Sequence, residues 1–410
     1  DAVTVASHVR KDLDTLTAGE IESLRSAFLD IQQDHTYENI ASFHGKPGLC
    51  QHEGHKVACS VSGMPTFPSW HRLYVEQVEE ALLDHGSSVA VPYFDWISPI
   101  QKLPDLISKA TYYNSREQRF DPNPFFSGKV AGEDAVTTRD PQPELFNNNY
   151  FYEQALYALE QDNFDDFEIQ FEVLHNALHS WLGGHAKYSF SSLDYTAFDP
   201  VFFLHHANTD RLWAIWQELQ RYRGLPYNEA DCAINLMRKP LQPFQDKKLN
   251  PRNITNIYSR PADTFDYRNH FHYEYDTLEL NHQTVPQLEN LLKRRQEYGR
   301  VFAGFLIHNN GLSADVTVTV CVPSGPKGKN DCNHKAGVFS VLGGELEMPF
   351  TFDRLYKLQI TDTIKQLGLK VNNAASYQLK VEIKAVPGTL LDPHILPDPS
   401  IIFEPGTKER

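Results

Sequence analysis

The sequence predicts an α+β protein of two parts, a mainly α-helical domain over residues 1–300 followed by a β-sandwich over residues 301–410. Two observations carry this. Up to about residue 300 apolar residues recur every three or four positions, the period of an amphipathic helix, and after Arg300 they alternate with a period of two, as in strands with one buried face. A third observation narrows the class. No apolar run approaches the roughly 18 to 20 residues of a membrane helix, so no membrane partner is expected. Aromatic residues make up 12% of the chain, which points to a packed core. With 53 acidic against 38 basic residues the formal charge is −15, which argues against a nucleic-acid partner.

The elements follow in order. Thr17 and Glu20 are spaced as a capping box ahead of Ile21, Leu24, Phe28 and Ile31. Tyr37, Ile40, Ala41 and His44 share one face of a short helix, which Gly45 and Pro47 stop. Between Pro68 and Leu83 one stripe holds His71, Tyr74, Val75, Val78 and Leu82, and Glu76, Glu79 and Glu80 are expected to face away. From Phe167 to Leu182 the apolar side holds Phe171, Leu174, His175, Leu178, His179 and Leu182, opposed by Glu168 and Glu172. His206 is expected to open a further helix through Leu212, Ile215, Trp216 and Leu219. Strands are expected at Val301–His308, Ala314–Val322, Val338–Leu342, Leu355–Ile360 and Tyr377–Val386, with the boundary between about 290 and 305.

Five cysteines include two close pairs, Cys50 with Cys59 and Cys321 with Cys332, each able to close a short loop in an oxidising compartment; Cys232 is left over. The sequon Asn253-Ile254-Thr255 fits a secreted glycoprotein. The chain opens at Asp1 and ends at Arg410 without a starting Met, and a cut from a longer polypeptide is expected.

Histidine is the unusual residue, at 18 copies. His175 and His179 stand four apart on a buried helical face, so both rings can reach one ion, although one core and one surface histidine would fit the spacing equally. Nearby, Phe198-Asp199-Pro200-Val201-Phe202-Phe203-Leu204-His205-His206 places two more in an apolar run. A third imidazole from His206 would complete a three-nitrogen site with an open position, and nitrogen-rich ligation without thiolate or carboxylate favours copper. His205 points about 100° away on a helix and is expected beside the site rather than in it. Upstream, His44 and His71 form a partial counterpart, and His44 could equally be a polar residue favoured by a helix C-terminus. Asp210 and Arg211 are expected to brace the His206 helix.

Thr66 to Tyr74, His175 to His179 and Asp199 to Arg211 resemble the copper-binding regions of the tyrosinase and molluscan hemocyanin superfamily. Ser192-Leu193-Asp194-Tyr195, Arg300-Val301-Phe302-Ala303-Gly304 and Val341-Leu342-Gly343-Gly344-Glu345 are similar to the hemocyanin branch, and the resemblance spans essentially the whole chain. It implies one unit of a long secreted subunit of a large homo-oligomer in hemolymph, carrying dioxygen on copper. His175, His179 and His206 would hold the second copper, and His44 and His71 belong to the first. The family's Cys-x-His before Gly-Met is here Ser60 and Ser62, so the first site lacks its middle imidazole and its crosslink, and a further family cysteine is replaced by Asp165.

This departure leaves three outcomes: a labile first copper with weakened oxygen binding, rescue by His52 or His55, or a single copper in a unit kept for assembly. Two coppers are expected if the first site works, otherwise one or none. A latent phenol oxidase is the enzymatic alternative. By the resemblance, Leu342 of the sandwich covers the pocket and admits a diatomic molecule but not a phenol.

Overall fold

The computed structural model describes residues 8–100, 102–146, 149–230, 234–250, 254–308, 311–325, 328–346, 348, 352–389 and 396–409. Cys232 and Asn253 lie outside the described residues. Helix starts follow local chemistry. Ala18–Gln33 begins with the reciprocal Thr17 and Glu20 bonds, Phe67–Asp84 has Pro68 in its first turn, and Phe164–Gly183 is capped by Asn163, whose side chain accepts from the Asp166 N–H. The helix expected to open at His206 starts earlier, spanning Val201–Arg223. The Asp199 carboxylate accepts from the Val201 N–H and so supplies the missing cap. Gly224, at φ 72°, ends this helix in the left-handed conformation that suits glycine.

The last three long helices pack around a core that includes Trp70, Trp181, Trp213 and Trp216, all essentially solvent-free. The faces opposite their apolar stripes are not solvated as expected. Glu76 and Glu79 are buried because Arg10 inserts between them, its Nε 2.8 Å from Glu79 and its Nη2 3.3 Å from Glu76. Glu168 and Glu172 are buried because both pair with Arg354 of the sandwich. In each case an arginine from a distant segment turns a polar face inward. Asp210 and Arg211 brace their helix as expected: Asp210 accepts from Arg72 Nε at 2.5 Å and from the Tyr273 and Tyr275 hydroxyls at 2.6 Å, and Arg211 donates to the Thr277 carbonyl.

The strands are β1 (His8–Arg10), β2 (Cys50–His52), β3 (His55–Val57), β4 (Thr111–Asn114), β5 (Arg119–Pro122), β6 (Tyr273–Tyr275), β7 (Arg300–Ile307), β8 (Ala314–Ser324), β9 (Lys329–Val341), β10 (Arg354–Gln359), β11 (Gln378–Ala385) and β12 (Ser400–Glu404). The last six build two antiparallel sheets, ordered β10-β7-β12 and β11-β8-β9. Their inner faces meet in a core of Val301, Phe305, Val316, Val318, Phe339 and Tyr356. β9 is longer than its alternating core suggests, because polar residues from Lys329 onward continue the ladder with β8, and β12 adds a strand beyond those expected. Cys321–Cys332 ties β8 to β9, and Cys50–Cys59 anchors the β2–β3 hairpin.

The two layers share one helix. Val173 belongs to the sandwich core, whereas Phe167, Phe171, Leu174 and Leu178 of the same Phe164–Gly183 helix belong to the helical core. Ser180 Oγ donates to Asp315 on β8 at 2.7 Å.

Candidate metal centre

Three helices and one turn bring the histidines together. His175 and His179 come from successive turns of Phe164–Gly183, His205 and His206 from the second turn of Val201–Arg223, and His71 from the start of Phe67–Asp84. His44 lies three residues beyond the Thr36–Ala41 helix, in a turn rather than on the helix itself. All six are buried.

In four of them hydrogen bonds fix which nitrogen faces the centre. His44 Nδ1 lies 3.1 Å from the Leu193 carbonyl, His71 Nδ1 2.9 Å from the Phe67 carbonyl, and His179 Nδ1 3.0 Å from the Phe190 carbonyl. His175 Nδ1 lies 3.0 Å from Asn176 Oδ1 and 3.3 Å from the Glu172 carbonyl. A carbonyl can only accept, so in each ring Nδ1 carries the hydrogen and Nε2 keeps its lone pair. Those four Nε2 atoms converge, joined by the Nε2 of His206, whose Nδ1 has no hydrogen-bond partner to fix its hydrogen. His175 Nε2 stands 2.8 Å from His179 Nε2 and 3.2 Å from His206 Nε2, and His71 Nε2 stands 3.5 Å from His44 Nε2. Lone pairs opposed at such distances repel unless a cation lies among them, which is the donor arrangement a soft, nitrogen-seeking metal fits.

Electrostatics agrees. Burial lowers the His44 imidazole to about 4 and the His175 imidazole to about 3. His71, His179, His205 and His206 are lowered as well, by burial first and by neighbouring histidines second. At neutral pH all six are uncharged, the form that binds metal.

The two groups differ in completeness. His175, His179 and His206 present three converging nitrogens, whereas His44 and His71 present two. The His71 ring stacks on His206 with centroids 4.4 Å apart, so the groups adjoin. Where the family's cysteine was expected, Ser60 is buried with its Oγ unpartnered, and where the further imidazole was expected, Ser62 is half-buried beside Gly63. His55 is exposed and His52 partly exposed, facing each other across the β2–β3 hairpin, so neither joins the buried group. His205 is closer than its sequence position implied. One of its nitrogens lies within 4.8 Å of those of His175, His179 and His206, and neither ring nitrogen has a hydrogen-bond partner. Its ring lies flat against His175, at 4.9 Å and 9°.

The model of the common central domain of tyrosinase matches residues 34–219, and that of the haemocyanin beta-sandwich matches residues 295–405. The chain is 99% identical to the Helix pomatia protein named hemocyanin, beta-C chain unit D, over the full length of both. The chain belongs to the hemocyanin family. As a hemocyanin it is an oxygen carrier rather than an enzyme, with copper as cofactor and dioxygen as ligand. It is 61% identical to hemocyanin 2 of Megathura crenulata but spans only 12% of that protein's length. The solved functional unit of octopus hemocyanin superposes with a TM-score of 0.88 at 43% identity, covering 98% of this chain and 100% of that one. A Burkholderia thailandensis tyrosinase, at 17% identity and a TM-score of 0.67, shares the fold alone. Among the described residues no helix is long and apolar enough to cross a membrane.

Proposed function

We propose that this hemocyanin unit holds one copper firmly on His175, His179 and His206 and a second weakly on His44 and His71, so that oxygen carriage is attenuated. The observation that carries this is the asymmetry of the centre, three opposed Nε2 atoms in one group and two in the other. Bound copper supplies the electrons by which dioxygen is reversibly held, one from each ion. The protein's own part is to keep each ligand neutral and aimed, through the carbonyls of Leu193, Phe67 and Phe190 and the Asn176 amide. It also keeps water out, since every ring is buried. Ser60 and Ser62 account for the weaker group. The unpartnered Ser60 hydroxyl marks a position built for a side chain that does not seek a hydrogen bond.

Leu342 is buried and precedes Gly343, whose carbonyl accepts from the Leu193 N–H at 2.9 Å; we assign it as the cover that restricts entry to small molecules and suppresses phenol oxidation. We take residues 1–300 as the copper domain and 301–410 as the lid, Asn253 as a glycan site, and the setting as hemolymph, within a homo-oligomer of long multi-unit subunits.

Copper per chain, measured by elemental analysis and paired with near-ultraviolet absorption with and without oxygen, tests the reading. Ser60→Cys with Ser62→His should raise copper toward two per chain and strengthen an oxygen-dependent band. Two firmly held coppers and a full-strength band in the unaltered chain would overturn it. The asymmetry also favours a second reading, a unit retained for assembly, for which one copper or none and no band is the expected result.

A further inference from the structure

Behind His44 a buried carboxylate joins the sandwich to the helical half. Asp194 is only 3% exposed, and its two oxygens accept from the backbone N–H groups of Glu345, at 2.8 Å, and Leu346, at 3.1 Å. Both belong to the turn that follows β9, whose Gly343 carbonyl is bonded to the Leu193 N–H. The fit is tight: a Cβ on Gly344 would stand 2.6 Å from Asp194 Oδ1. On its other side the Asp194 carbonyl accepts from the Lys46 N–H at 3.0 Å. Lys46 Nζ reaches Glu345 at 2.7 Å, the Tyr195 hydroxyl at 3.1 Å and Asp194 at 3.8 Å. A Cβ on Gly45 would meet the Leu193 carbonyl oxygen at 2.3 Å. The turn 343–346, the loop 193–195 and the segment 44–46 are therefore three backbone layers without free volume between them. Close-packed layers of this kind pass a displacement on rather than absorb it. In the middle layer sits the Leu193 carbonyl that holds His44 Nδ1.

We propose that Asp194 is a positioning residue: by clamping the sandwich turn onto the Leu193–Tyr195 loop it fixes the carbonyl that aims His44, so the seating of the sandwich sets the geometry of the weaker group. Asp194 touches no ligand directly and acts through Leu193. With each of its two side-chain oxygens taking one backbone N–H, Asp194 grips the turn at two points, which suits it to the clamp. Its meaning for oxygen binding rests on the proposed copper role of His44. The coupling itself is a property of the polypeptide and is read without metal.

The test uses the metal-stripped full chain with Asp194→Ala and, from the opposite layer, Gly344→Ala. Amide hydrogen exchange reads the turn, and carbethoxylation by diethyl pyrocarbonate, mapped by peptide mass spectrometry, reads each histidine. In both variants the Glu345 and Leu346 amides should exchange about tenfold faster, and His44 should be modified about threefold faster, while His175 and His179 stay at the parent rate. Asp194→Asn, which keeps one acceptor oxygen, should fall between. Faster exchange at the turn with His44 unchanged would overturn the coupling. Equal acceleration at His175 and His179 would also overturn it, as general loosening. Should Asp194→Ala fail to fold, Gly344→Ala carries the same comparison. Absence of copper from the His44 group in every protein would count against the proposed function and leave the histidine-modification result intact.

Discussion

Replacing His44 with Phe in the metal-stripped protein should make the variant gain stability on the parent as the pH falls. His44 is buried among Trp70, Tyr74 and Phe202, ring centroids 5.0–6.1 Å away, so a phenyl ring suits the space. At pH 7 the variant loses the bond to the Leu193 carbonyl, a deficit of about 1 kcal/mol. Burial lowers the imidazole from 6.5 to about 4 in the folded protein. The unfolded chain therefore takes up a proton as the pH drops through 6.5, and the folded chain only near 4. The stability tied to this group is complete above 6.5 and drains away between 6.5 and 4. From pH 7 to pH 5 the loss is about 2 kcal/mol, and the His44→Phe variant, with no proton to take up there, escapes it. Buried carboxyl groups act in the opposite sense: burial raises Glu172 to about 8 and Glu80 to about 7, so acid favours the fold there. They are common to both proteins and cancel in the difference. Urea unfolding of parent and variant at both pH values, with a chelator present, measures it. A difference in unfolding free energy that stays constant from pH 7 to pH 5 would refute the argument, because His44 would then be as easily protonated folded as unfolded.

Three further outcomes are expected. Asp210→Ala leaves Arg72 and Arg10 short of a buried partner and should destabilise by about 3–5 kcal/mol in urea; a change below about 1 kcal/mol would show those charges to be solvated. Removing the Cys50–Cys59 bridge as a double Ala variant should lower stability by about 2–3 kcal/mol, chiefly by freeing the unfolded chain, as measured against the oxidised parent. Leu342→Ala should raise catechol oxidation by the copper-loaded protein severalfold at unchanged copper content, and unaltered turnover would remove Leu342 from the role of cover.

Much of this molecule can be read directly from its residues, because the signals are local. The capping box at Thr17, the switch of period near Arg300, and the i, i+4 spacing of His175 and His179 each depend on neighbours in sequence. What escapes depends on distant partners. Glu76, Glu79, Glu168 and Glu172 read as solvated because nothing near them announces Arg10 or Arg354, 66 residues and more away for the first pair and 182 and more for the second. The parallel pairing of β1 with β6 joins segments 265 residues apart and has no signature in either. Helical geometry alone puts His205 beside the centre. That argument misses that the Val201–Arg223 helix is buried nearly all round over its first five turns, so even a ring pointing 100° away stays within the cluster. Asp194 stands in a recognisable motif, but nothing there marks it as a clamp, since backbone N–H donors leave no trace in a sequence.

The Phe164–Gly183 helix has its own consequence. Because Val173 completes the sandwich core while His175 and His179 serve the centre, the segment boundaries at residues 219 and 295 are not energetic boundaries. A sandwich excised at residue 295 would lack a wall of its own interior, and a helical half cut there would expose the outer side of the helix that carries His175 and His179. Heat or denaturant should therefore melt the two layers together in a single transition. Two domains in sequence, the chain should behave as one cooperative unit in thermodynamics.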